Sequence, residues 1–176
     1  MNRLKKHSSL LFLLTALLTI IFINLSCEDN PVTPNEPPPG RRDYTWEVDT
    51  VDAPNTSYYR MWASAPDDIW LVGQGTWEHS IAHFDGDKWS TYGVPEMNVA
   101  KSIYGFSKNN VYIGTAGGGI WNYDGSSWQQ VAELTKNGNS NIVFDNMWGE
   151  APNNLYAFGA YSNGMGAPNN SVIAHY

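Results

Sequence analysis

The chain of 176 residues carries one cysteine, Cys27, so no disulfide can form within it. It is also short of base. Ten Lys and Arg stand against 17 Asp and Glu, for a net charge of −7. The bases are scattered and form no stripe, which argues against nucleic acid or anionic lipid as the partner. A phosphate loop, a nucleophile elbow and a Cys/His metal set are all missing. Asp67, Asp68, Asp85 and Asp87 are acidic enough to suggest calcium, but they lack the spacing of a calcium loop. No catalytic residue, metal or cofactor is therefore assigned.

What the chain does have begins with an address. Arg3, Lys5 and Lys6 precede an uncharged apolar run over residues 10–23. That run suits the apolar region of a signal peptide and is short of the ~20 residues of a membrane-spanning helix. Leu25-Ser26-Cys27 follows at once. This ending resembles the lipobox of bacterial lipoproteins, and the resemblance implies removal of residues 1–26 and acylation of Cys27. Acyl chains would anchor the protein to a membrane of the bacterial envelope. Glu28-Asp29, directly after the cysteine, resemble surface-export signals of some Gram-negative lipoproteins. The expected location is the outer membrane or the cell surface. Without Arg3, Lys5 and Lys6, seven bases face the 17 acids and the net charge is −10.

Residues 27–43 read as the lipidated cysteine and a tether. Five of the eleven residues 30–40 are proline. Proline fixes φ and removes a donor, so the segment favours an extended, semi-rigid spacer.

Residues 44–176 repeat themselves. Trp62, Tyr104 and Trp148 recur at intervals of about 42–44 residues, the range of repeat architectures. Trp70, Tyr112 and Tyr156 recur with them. Units near 58–94, 99–134 and 142–176 each resolve into short apolar segments separated by turn residues. In the first unit these segments are 58–63, 69–73, 81–84 and 88–92. Four strands in such a period are the dimension of a β-propeller blade. The expected fold is therefore all-β, a propeller of four-stranded blades with about three blades present. Residues 44–51 align on Trp46, Trp89 and Trp128, and are expected to be a ring-closing strand.

Two motifs carry a family resemblance. Asp68-Ile69-Trp70-Leu71-Val72-Gly73 and the run from Ile81 through Asp85-Gly86 to Trp89 resemble WD40/BNR-like repeat propellers of bacteria. The resemblance covers residues 44–176 and implies a fold, not a reaction. Asp85-Gly86 and Asp124-Gly125 read as turns between third and fourth strands. His83, Asn122 and His175 hold equivalent positions and read as a structural polar slot. Three blades are fewer than a propeller's usual number. The chain is expected to be part of a longer propeller or, if complete, one half of a homodimer.

Chemistry is sought in the segments that vary between units, at 74–80, 93–101, 115–119, 134–141 and 160–171. Variation over a uniform scaffold is what a binding face looks like. Trp77, Glu78 and His79 could stack on a sugar and bond its hydroxyls. Glu96, Tyr161 and Asn163 complete the candidate ligand-binding set. The expected function is a noncatalytic, envelope-anchored binding module for glycan or protein. The alternatives are a glycan-active hydrolase or lyase, which needs a second acid at a set distance, and a purely architectural envelope protein.

Overall fold

The computed structural model describes residues 45–164 and 170–176. The expected signal peptide (1–26), Cys27, the expected tether up to 43 and part of the segment 160–171 lie outside the described residues. The chain divides between Val48 and Asp49 into two units. Of the first, only residues 45–48 are described, and all the sheets belong to the second.

Three antiparallel sheets follow one another along the sequence. The first runs in the order β1 (Ser57–Ala65), β2 (Asp68–Gln74), β3 (Ile81–Phe84), β4 (Trp89–Tyr92). The second is β5 (Ala100–Ser107), β6 (Asn110–Thr115), β7 (Gly119–Tyr123), β8 (Trp128–Glu133). The third has β9 (Ile142–Ala151), β10 (Asn154–Tyr161) and β11 (Asn170–His175). The fold is thus all-β, and every sheet is a meander in which each strand pairs with the next. Residues 45–53 lie outside the sheets, so the strand expected over 44–51 is not seen in its described part. Asp49 instead accepts a hydrogen bond from the Trp89 indole at 3.2 Å.

The turns follow from their residues. Asp85 Oδ1 accepts the backbone N–H groups of Asp87 and Lys88, both at 3.0 Å. Asp124 Oδ1 accepts those of Ser126 and Ser127 at 2.8 and 2.9 Å. These bonds favour the ionised form and hold both carboxyls below the usual aspartate range. Gly125 closes its turn at φ +99, where a Cβ would meet Asn109 Cγ at 2.7 Å.

Each sheet carries a polar pair at the matching place beside an aromatic ring. His83 Nε2 lies 2.7 Å from Asp68 Oδ1 and the imidazole stacks on Trp70 at 3.9 Å. His175 Nε2 lies 2.9 Å from Asn154 Oδ1 and stacks on Tyr156 at 4.1 Å. In the second sheet Asn122 Nδ2 donates to Asn110 Oδ1 at 2.9 Å, and Asn122 lies opposite Tyr112. The slot is occupied by polar partners within each sheet.

Two apolar clusters bury the faces between sheets. Trp70, Val72 and Ile81 of the first sheet pack with Ile103, Val111, Ile113 and Trp121 of the second. Ile120 of the second packs with Phe144, Met147 and Leu155 of the third, with Tyr104 and Tyr112 against them. The first strands lie together. The Tyr59 hydroxyl donates to Ala100 O and that of Tyr104 to Gly149 O, both at 2.7 Å. Arg60 Nε donates to Asp145 O at 3.1 Å, joining β1 to β9.

Candidate functional site

The segments between second and third strands, and those leading from one sheet to the next, meet at one end of the sheets. The Trp77 indole donates to Val94 O at 3.3 Å. Ala116 N–H donates to Val99 O at 2.9 Å, and Gly117 N–H to Ile142 O at 2.8 Å. Leu134 N–H donates to Gly118 O at 2.9 Å, and Ser162 N–H to Asn141 O at 3.1 Å. Asn139 Nδ2 also reaches Ser162 O at 2.7 Å. A chain of backbone bonds therefore ties the variable segments into a rim. Backbone donors and acceptors that would otherwise need water are satisfied by the neighbouring segment.

Trp77, Glu78 and His79 form one 3-10 turn on this rim, the residue after Thr76 taking up the helical conformation. His79 Nδ1 lies 2.7 Å from Thr91 Oγ1, and Tyr58 donates to His79 O at 2.8 Å. Both contacts pull the turn down onto β4 and β1. Trp77 lies over Gly93, where an added Cβ would meet the indole at 2.7 Å. Gly93 is thus the reason the ring can lie flat on the chain while remaining 50% exposed. Glu78 is exposed.

Glu96 stands on the adjoining segment, in the turn closed by Met97 N–H to Val94 O at 3.1 Å. The carbonyl of Val94 serves both that turn and the Trp77 indole, so the two candidate segments share an anchor. Glu96 has φ +68, a left-handed conformation uncommon for a residue with a side chain. Its side chain is exposed.

Tyr161 and Asn163 stand apart from this group, at the end of β10 in the third sheet. Tyr161 is half-buried and Asn163 exposed. Tyr161 walls a hollow of about 270 Å³ with Asn141, Val143, Asp145, Ala160 and Ser162. The six candidate ligand residues therefore fall into two groups, one on the segments that follow β2 and β4 and one at the end of β10. Asn141, Asp145 and Ser162 were missed by sequence reasoning. They lie on or beside variable segments, and only the packing of β9 against β10 brings them together.

An apolar crevice lies elsewhere, between the second and third sheets. It holds about 210 Å³ and is walled by Tyr112, Ile120, Ala132, Leu155, Ala174 and Tyr176, among others. No sequence reading pointed to it. No protein-family model matches the chain, and no curated protein matches it.

Proposed function

We propose that the protein is a noncatalytic binding module of the bacterial envelope, anchored through an acylated Cys27 and held off the membrane by its proline-rich tether. In this reading the three sheets are blades of a β-propeller of WD40/BNR-like repeats. Its ligand, a glycan or a protein segment, sits on the rim of variable segments.

The observation that carries the reading is the position of Trp77. The ring is half exposed, and its indole N–H is already used by Val94 O. What it offers a ligand is therefore its flat apolar face. Stacking of that face on a sugar ring or an apolar side chain suits a rim fixed by backbone bonds, because little order is lost on binding. Glu78 and Glu96 flank it with carboxylates that accept hydrogen bonds from hydroxyls. Glu78, His79 and Glu96 act here as ligand-binding groups, with no catalytic role assigned.

Binding to a glycan array or in a pull-down from envelope extracts tests the proposal. Trp77→Ala is expected to weaken the binding found, while Asp85→Ala, in a turn between third and fourth strands, leaves it in place. The opposite ranking would move the site to the other end of the sheets.

A further inference from the structure

The crevice between the second and third sheets has a filled counterpart between the first and second. There the occupant is Trp128, the first residue of β8. Its ring lies edge-on to Trp70 at 5.6 Å and beside Tyr123 at 5.4 Å. Its indole donates to the Tyr92 hydroxyl at 3.2 Å. The register identifies the matching positions one sheet further on. Trp70 faces His83, and Tyr112 faces Asn122. Tyr123 faces Val111, as Tyr176 exchanges both backbone bonds with Leu155. Tyr92 faces Ile81, as Ala132 faces Ile120. Tyr112, Tyr176 and Ala132 all wall the crevice. It is the place where a tryptophan of a fourth strand would lie.

The backbone side of the seat is present too. Among the described residues β11 pairs with β10 alone. An edge strand beside an apolar crevice is a template for an added strand, with backbone bonds giving affinity and side-chain seats giving specificity. The chain itself carries a segment of the right pattern. In Thr45-Trp46-Glu47-Val48-Asp49-Thr50-Val51, Trp46 and Val48 fall on one face of an extended strand and Glu47 on the other. Trp46 is 89% exposed and Val48 94% exposed.

We infer that the crevice and the outer edge of β11 receive residues 45–51 of a second copy of this chain, with Trp46 seated against Tyr112 and Tyr176. Placed like β8 on β7, where Trp128 faces Tyr123 and Gln129 faces Asn122, Trp46 faces Tyr176. Val48 then lies over Ala174, inside the crevice. Glu47 lies on the opposite face beside His175, a carboxylate next to an imidazole. The small Ala132 in place of Tyr92 leaves room for the indole. This inference concerns association between copies and stands independently of the ligand proposed for the rim.

Two measurements on the full chain, kept in detergent matched to the solvent density, test it. The labelled heptapeptide TWEVDTV is titrated with the chain and followed by fluorescence anisotropy. Saturable binding is expected, at least tenfold weaker for the peptide with Trp46→Ala and at least fivefold weaker for a chain with Val131→Asp. Val131 lines the crevice and is exposed, so that change leaves the core intact. Sedimentation then compares the chains themselves. The native chain is expected to associate, and the Trp46→Ala and Val131→Asp chains each to sediment as monomers. Their mixture is expected to associate again, because each supplies the half the other lacks. A native chain that stays monomeric, a peptide that does not bind, a Trp46→Ala chain that associates like the native one, or a mixture that stays monomeric would overturn the inference.

Discussion

Trp70 shows how much a single side chain decides here. It is fully buried, stacked on His83 and in contact with the rings of Tyr123 and Trp128 from the next sheet. Truncating a large buried aromatic costs about 3–5 kcal/mol, through lost transfer energy and the cavity left behind. Trp70→Ala is expected to lower the thermal midpoint steeply, and calorimetry of the folded variant measures the loss. Tyr92 makes a second prediction at this scale. Burial pushes its hydroxyl up to about 12, while the bond from Trp128 pulls slightly the other way. Its pKa is thus raised in the folded chain above the ordinary value near 10. The stability tied to the neutral phenol is complete below pH 10 and is lost as the pH rises through 12. Two units correspond to at most about 2–3 kcal/mol. Urea denaturation between pH 9 and 12 should show this decline, and Tyr92→Phe should flatten it.

At the scale of the element, the pairing of first and second strands is interrupted at matching places. Register shifts fall between Tyr58 and Arg60 in β1, between Ala100 and Ser102 in β5, and opposite Phe158–Ala160 in β9. A bulge frees a backbone group from the ladder and turns the strand. In β9 the carbonyl of Phe144 is taken by the buried hydroxyl of Ser102 at 2.7 Å, which stitches the second sheet to the third. Ser102→Ala leaves that carbonyl unsatisfied in an apolar cluster and is expected to cost about 1–3 kcal/mol in chemical denaturation. Gly125→Ala tests the turns. A side chain at φ +99 would strain the backbone and strike Asn109, and the expected loss is about 1–2 kcal/mol. If Gly125→Ala proves neutral, the turn tolerates another conformation and the Asp124 bonds, rather than glycine, hold it.

At the scale of the whole molecule, the sheets pack in sequence order, and the two outermost faces differ from those between them. Met61 is 68% exposed, whereas Ile103 and Met147, which occupy the matching places in β5 and β9, are buried in the clusters. Trp148 is 53% exposed, whereas Trp62 and Tyr104 pack against the clusters. The proposed anchor is tested at this scale as well. Cys27→Ala is expected to abolish incorporation of a tagged fatty acid and to move the protein out of the detergent phase. Unchanged labelling of the variant would remove the lipoprotein reading.

Much of the local structure was legible in the residues alone. Alternating apolar segments at 58–63, 69–73, 81–84 and 88–92 match β1 to β4 within a few residues, because side-chain alternation is set by the strand itself. Asp85-Gly86 and Asp124-Gly125 were legible as turns, since the carboxylate bonds within its own segment. The all-β class followed from these. What composition and spacing left open was decided by packing between segments distant in sequence. The rim depends on backbone bonds between loops whose lengths and contents differ, so no pattern announces it. The Tyr161 hollow exists because β9 and β10 bring Asn141, Asp145 and Ser162 to one place. The crevice depends on which side chains face it from β6, β8 and β11 together. Where strands start, alternate and turn is set by neighbours along the chain, and so it can be read from the residues in order. That Trp62 is covered and Trp148 is not came from packing alone, because burial depends on whether a second sheet lies across the face.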